Sequence, residues 1–103
     1  MRLVNIDYIP GKELEVLELV KGNVVQSKNL GRDFMAGIKS MVGGELVGYT
    51  EMLNEARQIA VKRMVDEAEK LGADAVINVR YASSTVMQGA AEIIAYGTAV
   101  KYR

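Results

Sequence analysis

The spacing of hydrophobic positions changes along the chain, from alternation to a helical repeat and back to alternation. An apolar run from Leu3 to Asp7 precedes the turn signal Pro10-Gly11, and residues Glu13–Val20 alternate between two sides. Both segments predict β-strands. The pair Gly22-Asn23 then predicts a bend, a bulge or a hairpin before the strand pattern resumes at Val24–Lys28, and the pattern does not choose between these alternatives.

A glycine-rich segment follows, with five glycines between Gly31 and Gly48. Apolar residues recur inside it at helical spacing, which predicts a short helix from about Arg32 to Val42. The pair Gly43-Gly44 would end this helix as a C-cap. Two glycines before a helix could also bind an anion through backbone N–H groups, but a flexible joint is the favoured interpretation.

The longest periodic segment predicts a helix from Tyr49 to Leu71, with Gly72 as the residue that follows its C-cap. Glu51 would lie in the first turn and Lys70 in the last, where their charges suit the helix dipole. The apolar positions cover nearly half of the circumference: Leu53, Ala56, Ala60, Val61, Met64, Val65, Ala68 and Leu71. Met52 and Ile59 form a second, smaller patch, which predicts one surface against the sheet and one against a neighbouring subunit.

The last third of the chain predicts two more strands, Ala75–Tyr81 and Ala91–Tyr102, joined by a loop or a hairpin with ragged ends at Ala82–Gly89. Neither face of the final strand is polar. Large residues occupy one face and small ones, such as Ala95 and Gly97, the other. A strand that is apolar on both faces is covered on both. Because one helix covers only one face, the missing layer is most simply another copy of the chain.

Composition sets limits on the function. The chain has 103 residues, half of them hydrophobic, which predicts a single domain over residues 1–103. Thirteen basic residues balance thirteen acidic ones, which argues against a nucleic-acid-binding protein. No signal peptide and no apolar stretch of about 20 residues is visible, so we expect a cytoplasmic protein with no membrane partner.

The chain contains no cysteine and no histidine. This excludes disulfides, a thiolate nucleophile and the usual ligands of zinc, so we expect no cofactor. We also expect no enzyme, because no nucleophile with an adjacent base is visible. Glu51 and Glu55 lie four residues apart and could hold a hard cation, although a solvated face is the favoured interpretation.

Arg57 is the least expected residue of the long helix, because its helical phase places it inside the apolar arc. A buried guanidinium requires a partner. An ion pair to a neighbouring strand or subunit is the favoured interpretation, and a ligand contact is the alternative. Asp33 is the preferred partner, ahead of Glu55, which projects from a different side of the helix. Arg32 could also pair across a subunit boundary.

Six segments, in order along nearly the whole chain, resemble the YbjQ-like family: Gly31–Phe34, Val42–Gly44, Gly48–Tyr49, Leu53–Arg57, Leu71–Val76 and Ala95–Val100. The resemblance implies an α+β, two-layer subunit with an antiparallel sheet packed on one long helix and a topology similar to a dodecin subunit. It also implies a homopentamer. Members of the family are labelled heavy-metal-binding, but this chain has neither Cys nor His for that role.

Two functions follow as expectations. The first is a small homo-oligomeric binding or assembly protein with a ligand or ion at subunit interfaces, its polar site formed by Arg32, Asp33, Tyr49, Glu55 and Arg57. The second is a metal or metalloid carrier, which here would need an all-oxygen or thioether site such as Glu51 with Glu55.

Overall fold

The computed structural model of the protein describes residues 1–27, 41–42 and 45–103, and of residues 41, 42 and 45–47 it describes the backbone. Six strands and one helix lie in these ranges: β1 Arg2–Leu3, β2 Leu14–Ser27, β3 Met41–Val42, β4 Glu45–Leu46, α1 Val47–Lys70, β5 Ala75–Met87 and β6 Ala90–Tyr102. Four strands form one sheet in the order β1-β5-β6-β2, and α1 packs on one face. The predicted α+β class with two layers is confirmed, although the sheet is mixed because β1 runs parallel to β5.

β2 is one continuous strand through Gly22-Asn23, so the hairpin alternative is wrong. It pairs antiparallel with β6 from Leu14 opposite Tyr102 to Ser27 opposite Ala90, with its irregularity between Val16 and Glu18. Gly22 does not form a turn but allows a close contact between β2 and the helix. A Cβ atom there would collide with the backbone carbonyl oxygen of Ala60 and the amide nitrogen of Met64, so only glycine lets the helix lie this close to the strand.

α1 begins two residues before the predicted start and ends one residue before the predicted end. Glu51 therefore follows the first turn, which contains no acidic residue. Gly72 has a φ of 76°, and its N–H donates to the Glu69 carbonyl at 3.0 Å, while the Ala73 N–H donates to the Ala68 carbonyl at 3.1 Å. This pair of bonds is a Schellman motif and confirms the predicted C-cap. Within the described residues, no helix is both long and apolar enough to cross a membrane.

Every fourth residue of α1 forms the stripe that packs on the sheet: Met52, Ala56, Ala60, Met64 and Ala68, all buried. Met52 therefore belongs to the core and not to a separate patch as predicted. The stripe packs against Val20 and Val24 of β2 and against Ile93, Ala95 and Ala99 of β6. The small-residue face of β6 thus lies under the helix, as its pattern predicts.

β5 extends six residues beyond its predicted end at Tyr81 and pairs with β6 as far as Met87 opposite Ala90. Of the two alternatives predicted for residues 82–89, the loop is therefore wrong and the hairpin is confirmed, with a register shift between Thr85 and Met87. Only Gln88 and Gly89 connect the two strands, and Gly89 takes a φ of 80°. Glycine adopts a positive φ of this kind without steric cost.

The second face of the sheet is covered at one end by the N-terminal segment of the same chain. Ile9 is 1% exposed and packs with Ala75, Ile77 and Val100. The predicted strand at Leu3–Asp7 is shorter than expected, because the chain leaves β1 after Leu3 to reach this face. Further along the same face Leu19 remains 64% exposed, so the N-terminal segment supplies part of the missing layer and leaves the rest open.

The end of the predicted short helix is wrong, since Met41–Val42 pairs antiparallel with Glu45–Leu46 as a two-stranded sheet. An extended backbone at these residues cannot continue a helix from Arg32. The rest of that predicted helix, residues 32–40, and the pair Gly43-Gly44 lie outside the described residues.

The contact at Gly22 yields a stability prediction. We expect Gly22→Ala to lower the free energy of unfolding by about 1–3 kcal/mol, since the new methyl group meets helix backbone that cannot move alone. Urea unfolding followed by circular dichroism measures the change. Lys21→Ala, at the exposed neighbouring position, is the control and should change stability little. An equal loss in both variants would refute the close-contact explanation.

Candidate functional site

The two flanks of α1 beside its buried stripe face different strands. On one flank, Arg63 Nη1 donates to the Asn23 carbonyl and Glu67 Oε1 accepts from the Lys21 amide at 3.3 Å, so this flank faces β2. On the other flank, the half-buried residues Tyr49, Leu53, Arg57, Val61 and Val65 recur every fourth position. This second flank lies towards β5, where it borders the main hollow on the helix side of the sheet.

We call this hollow the helix groove. It consists of two cavities of about 770 and 380 Å³ that share Val61 and Tyr81 as lining residues. Its apolar part is completed by Leu3, Val4, Ile6 and Val79, and Asn5 and Arg80 border it as well. Arg57, Gln58 and Lys62 line its polar end. The groove is open because α1 packs mainly over β2 and β6, which leaves Tyr81 of β5 54% exposed.

Arg57 lies at the polar end of the helix groove and is half-buried in the single chain, not largely buried as its helical phase predicts. Positions four residues apart advance about 40° around a helix, so the buried stripe drifts and Arg57 lies at its margin. Arg57 Nη1 donates to Asn54 Oδ1 at 2.8 Å, so its partner among the residues that the structure describes is an amide one turn earlier. The predicted carboxylate partner, Asp33, lies outside the described residues.

The remaining predicted site residues are only partly brought together. Tyr49 is two helical turns from Arg57 on the same flank and lines a small hollow of about 180 Å³ with Met52, Leu53 and residues of the β5–β6 hairpin. Glu55 is exposed and lies on the flank that faces β2. Arg32 lies outside the described residues, as Asp33 does. The structure therefore places Tyr49 and Arg57 along one flank and separates Glu55 from them.

Sequence reasoning missed a hollow on the opposite face of the sheet. This hollow, the open-face hollow, has a volume of about 590 Å³ and lies beside Tyr8, Arg80 and Tyr96. A signal for it exists in the sequence, because Asn78 interrupts an apolar strand. Asparagine is uncommon in strands and tolerates a positive φ, and Asn78 has a φ of 53°.

The donor set of this chain does not fit a soft metal ion. Among the residues that the structure describes, no three His, Cys, Asp or Glu side chains come together in a group that could hold a metal ion. Glu51 and Glu55 are both exposed and would offer one pair of carboxylates. Met52 and Met64 are both buried core residues, and Met64 packs in a cluster of alanine and valine side chains. A thiolate or an imidazole is missing from the whole chain.

Comparison with known families gives one match across the full length. A family model for YbjQ proteins, described as "Putative heavy-metal-binding", matches residues 1–103. Proteins named UPF0145 are similar to this chain. One from Clostridium novyi is 66% identical over 101 residues, which is 98% of each chain. One from Alkaliphilus metalliredigens is 65% identical over 99% of each chain, and one from Thermotoga maritima is 62% identical over 98% of this chain and 96% of the relative.

A solved structure supports the fold. The crystal structure of a protein of unknown function from Pediococcus pentosaceus, assigned to the DUF74 family, superposes with a TM-score of 0.67 over 100% of this chain and 98% of that one. Its sequence is 14% identical, so this likeness concerns the fold alone.

The donor set predicts weak binding of soft metals. We expect isothermal titration calorimetry with Zn²⁺ or Cd²⁺ to show no submicromolar site, because carboxylates alone bind these ions less tightly than thiolates or imidazoles do. The double variant Glu51→Gln, Glu55→Gln removes the one carboxylate pair that the sequence analysis singled out as a cation site. It should abolish any weak heat of metal binding that this pair produces. A submicromolar site that survives in this double variant would contradict the analysis of the donor set.

Proposed function

The chain belongs to the YbjQ family, and from this premise we propose that it is one subunit of a small homo-oligomeric binding or assembly protein, with five subunits as the expected number. The observation that carries the proposal is the outer half of β5. All eight residues from Arg80 to Met87 are exposed, and three are large apolar side chains: Tyr81, Val86 and Met87. Exposed apolar surface of this kind marks an interaction site.

The free edge of the same segment supports the proposal. β1 pairs only with Ala75 and Val76, so the outer half of β5 has β6 on one side and no strand on the other within the described sheet. An unpaired edge exposes backbone N–H and C=O groups to a further chain. A neighbouring subunit that covered this edge would also reach the helix groove, since Tyr81 belongs to both surfaces.

The helix groove gives the proposed binding site its position. A neighbour on the groove would bury Arg57, and a guanidinium removed from water needs a charged or polar partner. We propose that Arg57 and Tyr49 lie at a subunit boundary, with Asp33 as the carboxylate partner and with Arg32 and Glu55 as the other polar groups. A small ligand or ion would bind there.

The role we propose is non-enzymatic and cytoplasmic. Without histidine or cysteine, general acid–base work would fall to carboxylates, lysine or tyrosine. The family description favours a second function, heavy-metal binding. The donor set makes it the weaker candidate, because a carrier built on this chain would hold its ion through oxygen or thioether ligands alone.

Sedimentation equilibrium tests the assembly. We expect a stable oligomer at micromolar concentration, with a mass near five times the 11.3 kDa of one chain, and a monomer would refute the proposal. Tyr81→Glu should shift the mass towards the monomer, since it places a charge on the apolar part of the helix groove. Tyr8→Glu is a matched control, because Tyr8 is 57% exposed on the opposite face. If both variants dissociate equally, the interface lies elsewhere.

Arg57→Met tests the polar end of the same boundary. The variant keeps much of the shape of the side chain and removes its charge. The partner carboxylate would then be buried without a counter-charge. We expect it to weaken the assembly by about 3 kcal/mol per broken pair. Lys70→Met, an exposed residue in the last turn of α1, is the control. Dilution series monitored by analytical ultracentrifugation give both dissociation constants. Wild-type stability of Arg57→Met would make Arg57 an ordinary surface residue.

A further inference from the structure

A bulge in β5 builds one wall of the open-face hollow. Asn78 and Val79 together lie opposite the single residue Gly97, since Ile77 pairs with Thr98 and Arg80 pairs with Tyr96. The N-terminal segment holds this bulge in place. The Asn78 N–H donates to the Ile6 carbonyl at 3.0 Å, and the Val79 N–H donates to the Val4 carbonyl at 2.9 Å.

The bulge decides which side chains face the hollow. Side chains alternate along a strand, and one extra residue reverses the alternation beyond it. Val79 therefore joins the core under α1, and Arg80 lies on the opposite face beside Tyr96. Gly97 is required at this point, because a Cβ atom there would lie 2.7 Å from Val76 Cγ1 and 2.8 Å from the Ile77 carbonyl oxygen.

The hollow combines aromatic, apolar and charged groups from four parts of the fold. The N-terminal segment contributes Tyr8 and Asp7, β2 contributes Leu19, β5 contributes Arg80, and β6 contributes Tyr96. Tyrosine rings and leucine form favourable contacts with the face of a planar molecule. The volume of about 590 Å³ lies within the range of small-molecule sites, which is roughly 300–1,000 Å³.

Within the described residues, the charged side chains of the hollow have no partner. In the described part of the structure, the one ion pair joins Lys62 to Asp66, and no hydrogen bond engages the side chain of Arg80 or Asp7. A guanidinium presents several N–H donors that match a carboxylate or phosphate. Among the described residues that line this hollow, Arg80 is the one cation and Asp7 the one anion, so a second negative charge on a ligand would lose hydration without gaining a partner there.

We propose that the open-face hollow binds a small planar aromatic molecule that carries a single negative charge. The ring packs against Tyr8 and Tyr96, and the anionic group pairs with Arg80. This site goes beyond the proposed assembly function, because one chain supplies all of its residues and its two rings, Tyr8 and Tyr96, lie outside the helix groove, which Ile6 and Arg80 border as well. An aromatic carboxylate and a nucleoside monophosphate share this chemistry and differ in charge.

Ligand titration with three probes tests the proposal. Indole-3-acetate supplies a ring with one negative charge, adenosine 5′-monophosphate a ring with about two at neutral pH, and indole a ring with none. With protein labelled on its tyrosine rings, NMR titration should show saturable shifts of Tyr8 and Tyr96. We expect indole-3-acetate to bind at least about tenfold more tightly than indole, since the charged group adds a hydrogen-bonded ion pair. It should also bind more tightly than adenosine 5′-monophosphate.

Arg80→Gln should lower the affinity for indole-3-acetate about tenfold and leave the affinity for indole unchanged. Arg103→Gln removes an exposed arginine outside the hollow and should bind as the wild type does. Equal binding by Arg80→Gln and the wild type would overturn the proposal, as would no tyrosine shift with any probe up to about 10 mM. If no probe binds and Arg80→Gln changes the sedimenting mass, the hollow is a contact between copies and the proposal is wrong. A monomeric protein that binds indole-3-acetate would refute only the assembly.

Discussion

The close contact between α1 and the sheet determines the rest of this structure. Small residues on the facing surfaces bring the helix backbone near β2 and β6: Gly22 of β2, Ala56, Ala60 and Ala68 of α1, and Ala95 and Ala99 of β6. A helix this close covers a narrow band of sheet, because three of the five residues in its buried stripe are alanines. α1 therefore packs mainly on β2 and β6 and leaves the outer half of β5 uncovered.

The uncovered part of β5 explains why the sequence predicts some elements well and others badly. A strand alternates apolar and polar residues when one face is buried, but residues 82–85 are alanine, serine, serine and threonine, which signal no buried face. The pattern therefore leaves a loop and a hairpin as alternatives, where the structure has a hairpin with a register shift between Thr85 and Met87. By contrast, the 3.6-residue repeat of α1 and the glycine at position 72 arise from local physics, and both predict the helix to within two residues.

The candidate site was harder to predict than the fold, because it depends on which helix flank meets which strand. Helical phase places Arg57 in the apolar arc, but phase does not show that the buried stripe drifts around the helix and leaves Arg57 at its margin. The packing of Ile9 of the N-terminal segment on the second face of the sheet could not be predicted from the sequence either, since it is a long-range contact with no local pattern. Asn78 was the one local signal of the open-face hollow.

Arg80 and Tyr81 connect the two surfaces of the molecule. They are neighbours in sequence and begin the exposed half of β5. The bulge at Asn78 places Arg80 beside the open-face hollow and Tyr81 in the helix groove, and Arg80 borders the helix groove as well. A subunit that pairs with the edge of β5 would contact the backbone between these two side chains. The position of the β5 edge would then affect both faces at once. A ligand in the open-face hollow and a neighbouring subunit on the helix groove would thus both contact one short stretch of β5. The two residues just before it, Asn78 and Val79, are held in place by hydrogen bonds to Ile6 and Val4.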